Sequence, residues 1–186
     1  MGKSASKLSA DKLHQYLQNT AFSESEVKLH YKLFMNEFPD GKVDQSQFMN
    51  VYKVFHPDGK PDQFAMHVFR VFDNERKGVL GFDDFIKALN VTARGTNEEK
   101  MMWAFELYDT DRDGRISRDE LLSVVDSIFL MMGKNYTDDQ VRKEASRVKV
   151  ERVFAAMDVD RDDFLSVEEF REGVQQDPAI LRLLQQ

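Results

Sequence analysis

A single twelve-residue stretch, DTDRDGRISRDE from Asp109 to Glu120, restricts the folds open to this chain more than any other feature. Carboxylates stand at its first, third and fifth positions, Asp109, Asp111 and Asp113, and Glu120 closes it at the twelfth. Gly114 at the sixth lets the backbone turn sharply, Arg115 at the seventh offers its carbonyl, and Ser117 at the ninth stands where a water commonly bridges. Six or seven oxygens at that spacing form a cage for a hard cation of calcium's radius, held between an incoming and an outgoing helix. A merely solvated acidic turn would not put the glycine, the branched Ile116 and the closing glutamate in register.

The surrounding pattern repeats, and the repeat points to the fold. Apolar residues at three-four spacing lead into three loops: Ala65, Val68, Phe69 and Phe72; Met101, Ala104, Phe105 and Tyr108; Val150, Val153, Phe154 and Met157. Others lead out of four: Phe48, Val51, Tyr52 and Phe55; Phe85, Ala88 and Leu89; Leu121, Val124, Val125 and Ile128; Phe170 and Val174. The loops so bracketed begin at Asn36, Asp73, Asp109 and Asp158, and their eighth residues, Val43, Leu80, Ile116 and Leu165, are all apolar. Such residues face each other across a short two-stranded contact, which predicts that the first loop pairs with the second and the third with the fourth. The expected fold is all-α, four EF-hand helix-loop-helix units in two pairs, with an N-terminal helix and a short C-terminal helix.

The expected divisions are 1–20, an N-terminal segment and helix; 21–94, the first pair; and 95–186, the second pair with the terminal helix. Ser9 to Gln18 reads as the N-terminal helix, and Ser23-x-x-Glu26 is a capping box that starts the next. Thr92-Ala93-Arg94-Gly95 ends a helix at a glycine, and Thr96-x-x-Glu99 opens another. The polar interval from Gly133 to about Lys149 lengthens the last loop-to-loop distance, and the apolar Ile180, Leu181, Leu183 and Leu184 of the tail need a covering surface.

The four loops are not equivalent. The fourth, DVDRDDFLSVEE, offers Asp158, Asp160, Asp162, Ser166 and Glu169 with the carbonyl of Phe164, but Asp163 replaces the glycine. Aspartate tolerates a left-handed backbone at a cost of about 1 kcal/mol, so this loop is expected to bind more weakly than the third. The second retains Asp73, Glu75 and Asp84 as candidate ligands, yet Lys77 stands at a ligand position and Gly81 supplies no side chain. Its shorter closing residue favours six-coordinate magnesium, which Lys77 opposes too. In the first loop Asn36, Phe38 and Gln47 cannot offset the dehydration of a divalent ion. Two calcium ions are therefore expected, a third is disfavoured, and magnesium is able to stand in at rest.

A net charge of −7 with no long basic stretch argues against nucleic acid as a partner. The chain has no cysteine, which excludes disulfides, thiol catalysis and thiolate-bound zinc. No run of 18 apolar residues occurs, and the N-terminus lacks a secretory apolar core. Met1-Gly2-Lys3-Ser4-Ala5-Ser6 instead fits N-myristoylation at Gly2. One acyl chain binds membranes only marginally, so Lys3, Lys7 and Lys12 would supply a second, electrostatic signal. The fifteen Phe and nine Met suit a groove for varied apolar partners, with Phe34, Phe48, Val51, Tyr52, Phe55, Phe85, Leu89, Trp103 and Tyr108 as its candidate lining. Its expected occupant is an amphipathic helix of a target protein. The carboxylates are spaced for coordination and no nucleophile accompanies them, so no enzyme is expected.

On these residues the expected function is a calcium sensor of about 10⁻⁷–10⁻⁵ M affinity, whose closing glutamates turn the outgoing helices and uncover apolar surface. The alternative is a calcium buffer that exposes little. The strings MGKSxSKL, FPDG, ARGTxEEKxxWAFxLYDxDxDGxIsrdEl and EGvqqDPaIlrlL resemble, over essentially the whole chain, the neuronal calcium sensor family and most nearly its frequenin branch. The resemblance implies a myristoylated sensor, cytoplasmic and peripheral on plasma, Golgi or perinuclear membranes. It implies partners such as G-protein-coupled receptors and their kinases, phosphatidylinositol 4-kinase, and exchange factors for G-protein α subunits. It also implies that the C-terminal helix can compete for the target crevice. Frequenin fills its second loop, so the damaged second loop here is a departure.

Overall fold

A computed structural model describes residues 8–133 and 138–176. Gly2, Lys3 and Lys7, and the tail residues Ile180, Leu181, Leu183 and Leu184, lie outside the described residues. Helix α1 (Ala10–Asn19) starts where Ser9 accepts the Lys12 amide, and α2 (Glu24–Glu37) starts at a capping box with both arms formed. The rest of the described chain repeats one plan: loops leading through β1 (Lys42–Asp44) to α3 (Gln45–Phe55), from α4 (Asp62–Phe72) through β2 (Val79–Gly81) to α5 (Phe82–Arg94), from α6 (Asn97–Tyr108) through β3 (Arg115–Ser117) to α7 (Arg118–Met132), and from α8 (Asp139–Met157) through β4 (Phe164–Ser166) to α9 (Val167–Gln176). The family of the fold is all-α, as the periodicity requires.

The strands pair as their eighth loop residues predict. Antiparallel β1 and β2 set Val43 opposite Leu80, and antiparallel β3 and β4 set Ile116 opposite Leu165. All four side chains are buried, Ile116 and Leu165 completely. A three-residue ladder has little stability alone, so these apolar pairs are what lock each loop to its neighbour.

The chain divides into two compact units, one from Met1–Gln47 with Phe72–Lys100, the other from Phe48–Val71 with Met101–Gln186. In the first, Val27, Phe34, Phe82 and Ile86 form the core. Tyr16 of α1 meets Phe82 edge-on, its hydroxyl donates to Asp83 at 2.6 Å, and the Lys12 ammonium lies 2.9 Å from the same carboxylate. Arg94 stacks 4.6 Å from the Phe22 ring centre and pairs with Glu26. Hydrogen bonds from Ser23, joined by Arg94, hold the Glu26 carboxyl down at about 2. Gly95 ends α5 as expected but for a different reason: its φ of −58° is not left-handed, and a Cβ there would come within 2.4 Å of the Val91 carbonyl oxygen.

In the second unit the residues named before and after the third and fourth loops, from Met101 to Tyr108, Leu121 to Ile128, Val150 to Met157 and Phe170 with Val174, are all buried on the faces assigned to them. Phe105 meets Phe170 edge-on at 5.6 Å. Gly173 lets α9 press on α8, since a Cβ there would lie 2.4 Å from Met157 Cγ. The polar interval after Gly133 is largely the first half of α8, with Arg142 and Ser146 buried. Arg142 donates to Asp126 on α7 at 2.9 Å and to Asp139 at 2.5 Å, and the Ser146 hydroxyl donates to Asp126 at 3.1 Å. These two carboxylates push the Arg142 guanidinium pKa still higher. No residue of helix α3 is fully buried: Phe48, Val51 and Tyr52 are half-buried, and Val54 and Phe55 are 77% and 74% exposed.

Candidate metal centre

The third loop starts where the Asp109 amide caps α6 by donating to the Phe105 carbonyl at 2.9 Å. Arg112 and Gly114 then take φ of +64° and +89°, which folds the loop back so that the Asp113 and Gly114 amides donate to Asp109 at 3.1 and 3.0 Å. Asp111 accepts from the Asp113 amide, and Asp113 from the Arg115 amide. Glu120 does two jobs at once. One oxygen completes the capping box of α7 by accepting from the Ser117 amide and hydroxyl at 2.9 and 2.7 Å. The other reaches across the loop to the Thr110 amide and hydroxyl and to the Asp111 amide, at 2.8, 2.9 and 3.2 Å.

This bonding brings one oxygen each of Asp109, Asp111 and Glu120 within 4.8 Å of one another. Burial, with the charge of Glu120 nearby, raises the Asp109 carboxyl pKa above its ordinary range. Burial pushes Glu120 in the same direction, but the bonds from Ser117, Asp111 and Thr110 outweigh it and hold Glu120 low.

In the fourth loop the converging oxygens belong to Asp158, Asp160 and Asp162, again within 4.8 Å. Glu169 bridges to the Val159 amide at 2.9 Å and caps α9 through the Ser166 amide and hydroxyl at 3.0 and 2.8 Å. Those bonds hold its carboxyl low against the burial that would raise it. Asp163 adopts the left-handed φ of +66° that its place in the loop demands. Asp158 Oδ1 is buried and accepts no hydrogen bond among the described residues. A buried carboxylate oxygen without a donor is costly unless a cation satisfies it. The donor set here is entirely oxygen, which fits a hard divalent ion such as calcium.

Among the described residues the other two loops gather no such group of carboxylates. In the second, Asp73 accepts from the Lys77 and Gly78 amides at 2.8 and 2.7 Å, and Asp84 accepts from the Gly81 amide at 2.9 Å. The Lys77 ammonium sits 2.6 Å from Glu75, so the loop carries its own cation. Asp73, Glu75 and Asp84 do not come together in a three-carboxylate group among the described residues. In the first, Gln47 and Asp44 cap one another reciprocally at 3.0 and 2.8 Å, and Phe38 packs on Phe34.

The remaining expectations are met unevenly. Arg115 and Phe164 open strands β3 and β4. Ser117 and Ser166 donate their hydroxyls to the closing glutamates. Of the proposed groove residues, Phe34 and Tyr108 are 3% and 1% exposed and so pack the cores of their units. Phe48, Val51, Tyr52, Phe85, Leu89 and Trp103 are half-buried, and Phe55 is open to solvent. Arg70, at the end of α4, was not foreseen. Its guanidinium donates to the carbonyls of Glu106, Leu107, Asp109 and Thr110 at 3.2, 2.9, 2.8 and 2.8 Å, and Arg112 donates back to the Arg70 carbonyl at 2.6 Å. Arginine recurs at the fourth position of three loops, Arg76, Arg112 and Arg161, all at positive φ.

Comparison with known proteins agrees with this geometry. The EF-hand domain pair matches residues 98–175, and a second description of an EF-hand domain pair matches residues 61–92. The chain is 45% identical to neuronal calcium sensor 1 of Lymnaea stagnalis, over 99% of this chain and 96% of that protein. It is 44% identical to neuronal calcium sensor 1 of Aplysia californica, over the same shares. Human recoverin is 40% identical over 100% of this chain and 94% of its own.

Proposed function

The chain belongs to the neuronal calcium sensor family of EF-hand proteins, and on that premise we propose that it senses calcium through its third and fourth loops and responds by offering apolar surface to helical segments of target proteins. It is a homologue of calcium sensors and not an enzyme. The observation that carries the reading is the convergence of carboxylates in two loops, Asp109, Asp111 and Glu120 in one and Asp158, Asp160 and Asp162 in the other.

Bound calcium would supply a double positive charge that accepts oxygen donors. Asp109 and Asp158, each at the end of an incoming helix, would hold it together with Asp111, Asp113, Asp160 and Asp162, with the Arg115 and Phe164 carbonyls available at the seventh positions. Glu120 and Glu169 belong to the first turns of α7 and α9. When they exchange amide partners such as Thr110 and Val159 for an ion, those helices must follow, which is how loop chemistry becomes helix movement. The apolar residues already open in this structure, Val54 and Phe55 on α3 and Leu29 and Leu33 on α2, support a target-binding role.

The second loop, neutralised by its Lys77–Glu75 pair, serves as a structural partner to the first in this reading. Magnesium at rest would compete for the same oxygen donors. Among the described residues no helix is long and apolar enough to cross a membrane. Attachment to cytoplasmic membrane faces would come from myristoylation of Gly2, and the targets from the membrane-signalling partners that the family resemblance implies. Calorimetric titration with calcium and with magnesium, on wild type and Glu120→Gln, tests the ion count. Two calcium equivalents falling to one, with apolar dye binding that rises on calcium addition, are the expected results. No calcium heat, or full loop occupancy without a dye response, refutes the sensor.

A further inference from the structure

Two arginines of the third loop reach into the fourth. Arg118, the first residue of α7, lays its guanidinium 4.2 Å from the Phe154 ring centre. It donates to Glu151 at 3.0 Å and to Asp163 at 3.2 Å, and its Nη2 stands 3.8 Å from Asp158 Oδ2. Arg115 covers the Phe164 ring at 4.8 Å and places Nη1 4.0 Å from Asp162 Oδ2. Asp158 and Asp162 are two of the three carboxylates that converge in that loop. The third loop is met differently: its neighbouring guanidinium, Arg70, binds the backbone carbonyls of Asp109 and Thr110 and not the loop's carboxylates. Asp109, Asp111 and Glu120 accept from backbone amides and from the hydroxyls of Thr110 and Ser117, and among the described residues none of them forms an ion pair.

We infer that Arg118, assisted by Arg115, is the resident counter-cation of the fourth loop and lowers that loop's affinity for a divalent ion. The inference rests on the reading of the fourth loop as a calcium site and assigns a residue that tunes it. The physical reason is charge. A carboxylate group already faced by a guanidinium attracts an incoming ion less, and the guanidinium repels that ion directly. Stacking on Phe154 and pairing with Glu151 fix the arginine's position, so it does not simply swing away when the ion arrives. Asp163 is the third anchor. The residue that stands in place of the usual glycine thus gives the arginine a carboxylate at the loop's own turn. The pairs are partly exposed, with Arg118 at 35% side-chain exposure, so they contribute little to stability and their effect is on ion affinity.

The test uses the full chain with one loop silenced at a time. In a Glu120→Gln background, where calcium heat reports the fourth loop, Arg118→Gln is expected to raise calcium affinity on the order of tenfold, the effect of removing one charge close to a doubly charged ion. Arg118→Lys keeps the charge but loses the planar fork that stacks on Phe154 and pairs with Glu151 and Asp163, so its affinity is expected to fall between those of the parent and the Arg118→Gln chain. Added salt should narrow the gap between the Arg118→Gln chain and its parent, because it screens a charge effect and not a packing effect. In a Glu169→Gln background the same Arg118→Gln change should leave third-loop affinity nearly constant. Unchanged or weakened fourth-loop affinity in the Glu120→Gln, Arg118→Gln chain overturns the inference while leaving the calcium sites standing. Failure of the wild-type chain to bind calcium overturns both. Far-UV circular dichroism of each variant confirms that helix content is retained, and loss of helix only in Arg118→Gln makes the arginine structural and also overturns it.

Discussion

Replacing Ile116 by alanine tests whether the two C-terminal loops act as one body. Ile116 is fully buried opposite the equally buried Leu165, in the middle of the short ladder between β3 and β4. The substitution removes three carbons from water-free packing, about 2.4 kcal/mol at about 0.8 kcal/mol per buried carbon. The ladder's backbone bonds keep the strands at their spacing, so the space left cannot collapse well, and the total cost should reach about 3–4 kcal/mol. Urea unfolding of the calcium-depleted chain, followed by circular dichroism, measures that cost. Val43→Ala in β1 is the control: it removes two carbons at a 4% exposed position and should cost about half as much. Because Ile116 touches the geometry of both loops, calorimetry should show their calcium affinities falling together, whereas Val43→Ala should leave both nearly unchanged. A loss below about 1 kcal/mol, or weakening confined to one loop, would refute the view that this apolar pair couples the sites.

Three further outcomes are expected. Glu120→Gln puts an amide nitrogen among donors from Thr110, Asp111 and Ser117, and should destabilise the calcium-free chain by about 1–3 kcal/mol as well as remove one calcium equivalent, read by urea unfolding and calorimetry. Burial, and secondarily Arg70, lowers the His67 pKa to about 4. The unfolded chain then takes up a proton near pH 6.5 that the folded chain refuses until about pH 4, so stability falls with pH across that window, and His67→Phe should flatten the fall in unfolding curves taken at several pH values. Gly173→Ala drives a Cβ into the Met157 side chain and should lower stability by about 1–3 kcal/mol, seen as a reduced thermal midpoint with calcium withheld.

The amino-acid order alone determined the helix-loop-helix repeat and the pairing of loops. These depend on local spacing: a carboxylate every second residue, an apolar eighth position and a three-four apolar face are properties of consecutive residues. Even the second loop's own positive charge was foreshadowed by Lys77, although only the structure shows its ammonium on Glu75. What tertiary structure decided was everything that joins distant residues. Arg142 and Ser146 share the periodic face of α8 with Val150 and Val153, but a face that begins with polar residues carries no apolar signal until Asp126 of another helix is seen beneath it. Arg70 caps carbonyls some 36 to 40 residues away, and Arg118 meets Asp163 45 residues on. The face of α3 is half-covered at Phe48, Val51 and Tyr52 and open at Phe55, since amphipathic spacing states that a surface needs cover and leaves to the fold how much of that cover belongs to the same chain. A charge can be read from a residue's name, but its partner is set by where the folded chain brings it.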